Sequence, residues 1–222
     1  MLLRDEPHPD LLVEPSPKLR DWTPELENYM WRYLGWHPIQ RTLIRVCLGV
    51  DPGPEGEEVL RSLQQEDRYF SDPDPTVFIL CMGRRSGKTT ILQGIADTLA
   101  ALYRASDGDS RFAIDHYQLR GVGPRTSYST FRNHNIIVDE RLEIPDLWSS
   151  ISSGDGRRYI VAHTPRPSVE PFTALPRTVR RAVFSISTSQ IFPGRSFHPG
   201  VDPTEFVVPR VDEILRRLAG GV

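Results

Sequence analysis

Lysine is almost missing from this 222-residue chain. Only Lys18 and Lys88 occur among the 27 basic residues, and all the others are arginine. A GC-rich coding bias would explain this skew, and against it the retained Lys88 is informative. A compact ammonium group suits phosphate oxygens better than a planar guanidinium does. The scarcity of lysine therefore marks Lys88 as a candidate anion-binding residue.

Cysteine and long apolar runs are also scarce. The two cysteines, Cys47 and Cys81, lie in apolar segments, so we expect buried thiols rather than a disulfide framework or a metal site. No apolar run approaches the roughly 20 residues of a membrane span. The first ten residues, MLLRDEPHPD, are polar and broken by proline, unlike a secretory signal. These absences predict an intracellular, cytoplasmic protein.

The composition, with 38% apolar and 25% charged residues and a net charge of −2, is ordinary for a globular chain. Prolines and mixed charge predict an extended or disordered arm over residues 1–20. A single domain is predicted over 21–222. Within it, 21–70 is predicted as an N-terminal helical part with helices after Thr23, from Pro38 with Gly49 after its end, and over 55–66. Residues 196–222 are predicted as a loop and a final helix over about 211–218.

Short apolar runs alternate with helical patterns through the middle of the chain. Strands are predicted at 77–80, 111–117, 135–140, 159–162 and 179–187, with a helix over about 89–102 and a turn-rich loop at 121–129. Consecutive apolar residues, as in NIIVDE over 135–140, are typical of a parallel strand buried on both faces. The order predicts an α/β fold of the P-loop NTPase type, with a mostly parallel central sheet flanked by helices.

The stretch 77–90, VFILCMGRRSGKTT, has the order strand, glycine-bounded basic loop, helix. That order lets backbone N–H groups and a helix N-terminus converge on one anion. The usual pattern is G-x-x-x-x-G-K-[ST], but Met82 occupies the first-glycine position and Gly83 comes one residue late. We expect ATP phosphates to be bound by Gly83, Ser86, Gly87, Lys88, Thr89 and Thr90.

Specific roles follow from the chemistry of this loop. Lys88 is expected to reach the β- and γ-phosphates, and the Thr89 hydroxyl is expected to bind Mg²⁺. Arg84 and Arg85 lie inside the loop, where a guanidinium neutralises phosphate charge. One of them, or an arginine from a neighbouring subunit, is a candidate for stabilising the transition state.

Two carboxylates end the predicted strand 135–140, where open α/β sheets place ligands. Asp139 is expected to hold Mg²⁺ through water or through Thr89. Glu140 is expected to orient and deprotonate the attacking water. Thr164, at the end of the next strand, is a candidate sensor of the γ-phosphate, and a strand-ending Thr-Pro turn is the alternative.

Two further features are ambiguous. The first is WHPIQ, which contains Trp36 and Gln40 and precedes the loop. Because glutamine both donates to and accepts from an adenine edge, these residues are candidates for an adenine pocket. Alternatively, Gln40 lies on the surface of an amphipathic helix. Segment 151–200 carries a net charge of +5, which suits a nucleic-acid backbone, an acidic partner or simply a solvated face. Its arginines are Arg157, Arg158, Arg166, Arg177, Arg180, Arg181 and Arg195.

Together these residues resemble the ATPase domain of tailed-phage large terminases, the motors that pump DNA into proheads. GRRSGKT is similar to that family's deviant phosphate loop, and IIVDE to its Walker B strand with a catalytic glutamate. AHTP over 162–165 resembles its coupling motif, WHPIQ its adenine-binding motif, and FSISTSQIFP over 184–193 the strand that follows. The resemblance covers roughly residues 30–195, and the order of the motifs is more specific than any one of them.

The resemblance implies Mg²⁺-dependent ATP hydrolysis that drives double-stranded DNA into a prohead, in the host cell cytoplasm. It also implies a homo-oligomeric ring on a viral portal, with a small terminase subunit or a separate nuclease as further partners. Two departures stand out: the stretch between the loop and Asp139 is short, and a chain that ends at Val222 has no room for the family's nuclease domain. A P-loop kinase of a small molecule or nucleotide, a non-hydrolysing nucleotide-dependent switch, and a helicase or AAA-like remodeller are the alternatives.

Overall fold

The computed structural model of the chain describes residues 36–118, 121–122, 135–140, 147–153, 157–164, 175–176, 178–192 and 210–218. Four predictions fall outside these ranges: the arm over 1–20, the helix after Thr23, most of the loop over 121–129 and the loop that precedes the final helix. Three arginines of the basic segment also lie outside them, namely Arg166, Arg177 and Arg195.

A seven-stranded sheet forms the centre of the described structure. Its strands are β1 (Tyr69–Ser71), β2 (Val77–Met82), β3 (Ile114–Gln118), β4 (Gly121–Val122), β5 (Asn135–Asp139), β6 (Arg158–His163) and β7 (Arg181–Ile186). The order across the sheet is β1-β7-β2-β6-β5-β3-β4. The five inner strands run parallel, and the short edge strands β1 and β4 pair antiparallel with their neighbours. The predicted α/β fold with a mostly parallel sheet is confirmed.

Helices cover both faces of this sheet. They are α1 (Pro38–Leu48), α2 (Gly53–Gln65), α3 (Lys88–Ala105), α4 (Leu147–Ser153), α5 (Thr188–Ile191) and α6 (Val211–Leu218). Every residue of β2 is buried, because alternate side chains enter two cores. Phe78, Leu80 and Met82 join the core under α1 and α3, whereas Val77, Ile79 and Cys81 join the core that includes Ile151 of α4 and Ile214 of α6. Burial on both faces explains why β2 reads as a continuous apolar run.

Several predicted elements differ from the structure in their bounds. The predicted strand 111–117 begins only at Ile114, because Asp109 accepts a 2.9 Å hydrogen bond from the Arg111 amide and starts a 3₁₀ turn at Ser110–Phe112. The predicted loop 121–129 begins with the short strand β4. Strand β1 and helix α5 were not predicted, and both are too short to show a period. Among the described helices, none combines the length and the apolar character needed to cross a membrane.

Helix α1 begins and ends where its sequence predicts. His37 caps it, and the Gln40 side chain closes a capping box with the His37 backbone. Gly49 ends it with φ of 73°, in the left-handed region that glycine adopts at little cost. Arg158 of β6 donates to the Cys47 carbonyl at this end, over 3.3 Å. Both cysteines are buried thiols outside any disulfide, as predicted.

The parallel direction of the inner strands has one consequence for function. Strands β2, β5, β6 and β7 all end at the same edge of the sheet. The segments that follow them therefore meet there, beginning at Gly83, Glu140, Thr164 and Ser187 respectively. Open α/β sheets bind ligands at this carboxyl edge.

Candidate phosphate- and metal-binding site

The loop between β2 and α3 spans residues 83–87. Met82, at the expected first-glycine position, is the last residue of β2, is fully buried and pairs with Ile186 of β7. Gly83 lies so close to the next segment that a Cβ there would be 2.4 Å from Thr188 Oγ1 and 2.9 Å from Thr188 N. Strand β2 thus continues through Met82, the position that the usual motif assigns to glycine. Glycine is required one position later, at Gly83, because Thr188 leaves no space there for a Cβ.

Lys88 points back over this loop from the first turn of α3. Its side chain is only 7% exposed, and its Nζ donates to the Gly83 carbonyl at 3.1 Å. The same Nζ lies 3.2 Å from Glu140 Oε1. Burial lowers the pKa of Lys88, and the neighbouring Glu140 carboxylate opposes that shift. The ammonium therefore lies between the loop backbone and the end of β5.

Glu140 follows β5 and is held by Thr164, which follows β6. The Thr164 amide donates to Glu140 Oε2 over 3.0 Å, and the Thr164 hydroxyl donates to Oε1. Burial acts to raise the pKa of Glu140, but the Thr164 hydrogen bonds and the Lys88 ammonium outweigh it and leave the pKa below its usual range. Glu140 also has φ of 57°, a conformation that strains a residue with a Cβ. The carboxylate is thus ionised and fixed in direction.

Asp139, the last residue of β5, contacts the start of α3. The Thr89 hydroxyl donates to Asp139 Oδ2 over 2.7 Å. Asp139 is 3% exposed, and its Oδ1 atom has no hydrogen-bond partner among the described residues. Burial raises the pKa of Asp139, and the hydrogen bond from Thr89 opposes the shift. A buried carboxylate oxygen without a donor is one that a cation would satisfy.

These residues fit Mg²⁺ bound together with a nucleotide. Mg²⁺ takes one or two carboxylates plus phosphate oxygens and waters, rather than a dedicated protein cage. Within the described ranges, no group of three or more His, Cys, Asp or Glu residues is placed to hold a metal ion. Thr89 and Asp139 could therefore hold Mg²⁺ only as part of a shared coordination shell.

Gln40 and Trp36, the candidate adenine residues, are both buried, and Gln40 reaches the loop. The Gln40 Nε2 atom donates to the Ser86 carbonyl at 3.2 Å, and its Oε1 accepts from the His37 amide at 3.0 Å. Trp36 packs on α3, with its ring 3.5 Å from the position of a Cβ on Gly94. Gln40 thus braces the loop between β2 and α3, and contact with adenine stays a prediction.

The remaining candidates differ in exposure. Ser86 is fully buried, and its hydroxyl has no hydrogen-bond partner among the described residues. Arg84, Arg85 and Thr90 are exposed at the mouth of the loop. Gly87 and Arg85 both adopt left-handed backbone, with φ of 90° and 59° respectively. The two predicted arginines are thus exposed within the loop, and a role for them in phosphate binding stays a prediction.

Four side chains beside the site have no role there in the sequence-based prediction: Thr188, Cys81, His163 and His116. Thr188 donates to the Arg84 carbonyl at 2.6 Å. Cys81 Sγ lies 2.9 Å from His163 Nε2 across strands β2 and β6. His116 is 1% exposed, and neither ring nitrogen has a hydrogen-bond partner among the described residues. Only the first had a usable signal, since S-T-S-Q over 187–190 fits a capping box at a helix start.

Comparison of the chain with protein-family models, curated proteins and solved structures gives no match.

Proposed function

We propose that this chain is a P-loop ATPase that hydrolyses ATP with Mg²⁺ to drive double-stranded viral DNA into a prohead. One observation carries the ATPase part. Lys88 of the phosphate loop and Thr164 after β6 donate to the same Glu140 carboxylate, and the Thr89–Asp139 hydrogen bond lies beside them. The two sets of contacts are adjacent, because Lys88 directly precedes Thr89 and Asp139 directly precedes Glu140.

Each group has a defined task in this reaction. Lys88 binds β- and γ-phosphate oxygens, and the backbone of the loop cradles the phosphates. Thr89 and Asp139 would hold Mg²⁺, which would supply positive charge against the phosphate oxygens. Glu140 accepts a proton from a water molecule, whose oxygen bonds to the γ-phosphorus as the bond to the β–γ bridging oxygen breaks. The products are ADP and inorganic phosphate.

In this proposal the γ-phosphoryl group is transferred to water. A glutamate directed by two donors from Thr164 is suited to remove a proton from a small nucleophile held near the γ-phosphate. A kinase would need an acceptor pocket in the same place, and it would release no phosphate in the absence of an acceptor.

The DNA-translocation part is supported by the order of the motifs that resemble a packaging motor. The basic segment supports it less than its charge suggests. Arg181 is 8% exposed and donates to the carbonyls of Val179 and Pro176, and Arg158 donates to Cys47. Both arginines thus stabilise the fold, so a DNA contact would depend on the other basic residues or on a homo-oligomeric ring at the portal.

Phosphate release, measured with and without double-stranded DNA and with no added acceptor, tests the proposal. We expect turnover in the wild type, stimulation by DNA, and loss of turnover in Lys88→Ala and Glu140→Gln. Glu140→Gln should still bind ATP, because it keeps the size of the side chain and loses only the base. Glu57→Gln, an exposed change on α2, is the matched control and should leave the rate unchanged.

Each contrary result has a definite meaning. Full turnover in Glu140→Gln would refute water activation by this residue. Tight ATP binding without hydrolysis, with DNA present, would identify a nucleotide-dependent switch instead. Turnover that is indifferent to DNA would refute the translocation part and leave the ATPase part standing.

A further inference from the structure

Thr188 connects the phosphate loop to the segment that follows β7. It is the first residue of α5 and is 2% exposed. Its hydroxyl donates to the Arg84 carbonyl at 2.6 Å. One residue earlier in the loop, the Gly83 amide donates to the Ile186 carbonyl at 2.9 Å. The first half of the phosphate loop is therefore fastened at two successive residues to the end of β7.

This fastening also fixes the orientation of one peptide group. A trans peptide is planar, and its C=O and N–H bonds point in opposite directions. Because the Arg84 carbonyl is directed at Thr188, the amide N–H of Arg85 is directed away from Thr188. Arg85 has φ of 59°, a left-handed conformation that disfavours a residue with a Cβ. Such strain persists only where surrounding contacts maintain it.

Thr188 itself is held by its own short helix. Ser187 and Gln190 form a capping box around it, in which the Ser187 amide donates to Gln190 Oε1 at 2.8 Å. The Gln190 side chain in turn donates to Glu66 at the end of α2, over 3.0 Å. The hydroxyl of Thr188 is thus presented by a braced element rather than by a free loop.

We propose that Thr188 is a positioning residue of the nucleotide site, which holds the Arg84–Arg85 peptide with its N–H directed toward the bound phosphates. The inference rests on the proposed function, since it takes the phosphates of ATP as the ligand of this loop. It assigns a role in phosphate binding to a residue outside the loop, more than 90 residues further along the chain. It also explains why Gly83 is a glycine, because the close approach of Thr188 leaves no space for a Cβ.

The test compares two substitutions of Thr188 by isothermal titration with ATP and with GTP. Thr188→Val removes the hydroxyl and keeps the shape, so the Arg84 carbonyl loses its donor. We expect affinity for both nucleotides to fall about 3- to 10-fold, the effect of one lost hydrogen bond. Thr188→Ser keeps a hydroxyl and should restore binding to within about twofold of the wild type. Equal losses for ATP and GTP are expected, because the effect acts on phosphates and not on the base.

Thr98→Val is the matched control. Thr98 is also 2% exposed and donates its hydroxyl to a backbone carbonyl, that of Gly94 at 2.8 Å, but within α3 and away from the loop. It should change thermal stability without changing nucleotide affinity. If Thr188→Val does not fold, Thr188→Ala removes the same donor with less steric demand and is compared with Thr188→Ser in the same way.

The outcomes separate this inference from the function on which it rests. ATP binding that depends on Lys88 but is unchanged in Thr188→Val overturns the inference alone. A loss of the same size in Thr188→Ser overturns it too, because the hydroxyl would then be irrelevant. ATP binding that is absent, or independent of Lys88, in the wild type overturns the proposed function and this inference with it.

Discussion

Thr164 gives two hydrogen-bond donors to one carboxylate, that of Glu140. The amide N–H binds Oε2 over 3.0 Å, and the hydroxyl binds Oε1. Two donors on different oxygens fix the rotation of the carboxylate as well as its distance, which a single donor does not do. The residue that follows β6 thus sets the direction of the candidate base that follows β5.

Thr164→Val should lower kcat for phosphate release and leave KM for ATP nearly unchanged. The hydroxyl donor is lost while the amide donor remains, so Glu140 stays in place but is less well aligned. We expect kcat to fall about tenfold or more, part of what a general base contributes. Thr164→Ser keeps the donor and should retain most of the rate; an equal loss in both variants would contradict the role of the hydroxyl.

Asp139→Asn should reduce the contribution of Mg²⁺ to nucleotide binding. The change keeps the shape of the side chain and removes the charge from the buried Oδ1 atom, which has no hydrogen-bond donor among the residues that the structure describes. Titration of ATP with and without Mg²⁺ measures this contribution. We expect affinity without the metal to stay close to that of the wild type, and the increment produced by Mg²⁺ to disappear. An increment that survives in Asp139→Asn would show that the metal binds elsewhere.

Gly83→Ala should weaken ATP binding and lower the midpoint of thermal unfolding. Its Cβ would lie 2.9 Å from the backbone nitrogen of Thr188, so the loop or α5 must move. Gly94→Ala in α3 is the matched control, because its Cβ would meet Trp36 Cη2 and Ile44 Cδ1 at 3.5 and 3.7 Å, which are ordinary contacts. We expect that control to stabilise the protein by about 0.5–1 kcal/mol. Normal ATP affinity in Gly83→Ala would refute the tight approach of Thr188.

Gln40→Glu should lower the affinity for ATP and for GTP by the same factor. The substitution keeps the oxygen that accepts from His37 and replaces the donor to the Ser86 carbonyl with a second oxygen. The resulting repulsion disturbs the phosphate loop, whichever base the nucleotide carries. Parallel titrations with the two nucleotides decide between the two roles of Gln40. A loss confined to ATP would support adenine recognition instead.

Cys47 should resist alkylation in the folded protein. It should also make the free energy of unfolding decrease as the pH rises in the alkaline range. Burial raises the pKa of Cys47 from 9.0 to about 12, and the charge of Arg158 only partly opposes this. The unfolded thiol ionises first, so the stabilisation is complete below pH 9 and is lost as pH rises toward 12. Chemical unfolding of the wild type and Cys47→Ala across this range should differ in slope by up to about 1.4 kcal/mol per pH unit. Rapid modification of Cys47 by a thiol reagent under native conditions would contradict this burial.

The elements that the sequence predicts well are those whose local pattern agrees with the tertiary structure. Strand β2 and helix α3 have clear apolar runs and periods, and Gly49 marks the end of α1. The carboxyl-edge position of Asp139 and Glu140 follows from a buried strand followed by two carboxylates. These features depend on neighbours in the chain, and local patterns report on such neighbours.

The contacts that the sequence does not predict are those that depend on strand order. No pattern in 109–122 shows that Asp109 starts a 3₁₀ turn or that Gly121 begins a strand. Likewise, nothing local shows that β7 lies beside β2, which brings Thr188 to the Arg84 carbonyl. The shift of the loop glycine to Gly83 is visible in the sequence, but its cause becomes visible only when these two strands are adjacent.

The order of the strands also determines when this site can form during folding. Its contacts join residues far apart in the chain: 46 positions separate Gln40 from Ser86, 50 separate Thr89 from Asp139, and 104 separate Arg84 from Thr188. Contacts of such sequence separation form slowly, because chain entropy is lost before they are made. Nucleotide binding to this site would therefore report that the inner sheet has assembled, and by mass action it would stabilise the assembled sheet against unfolding.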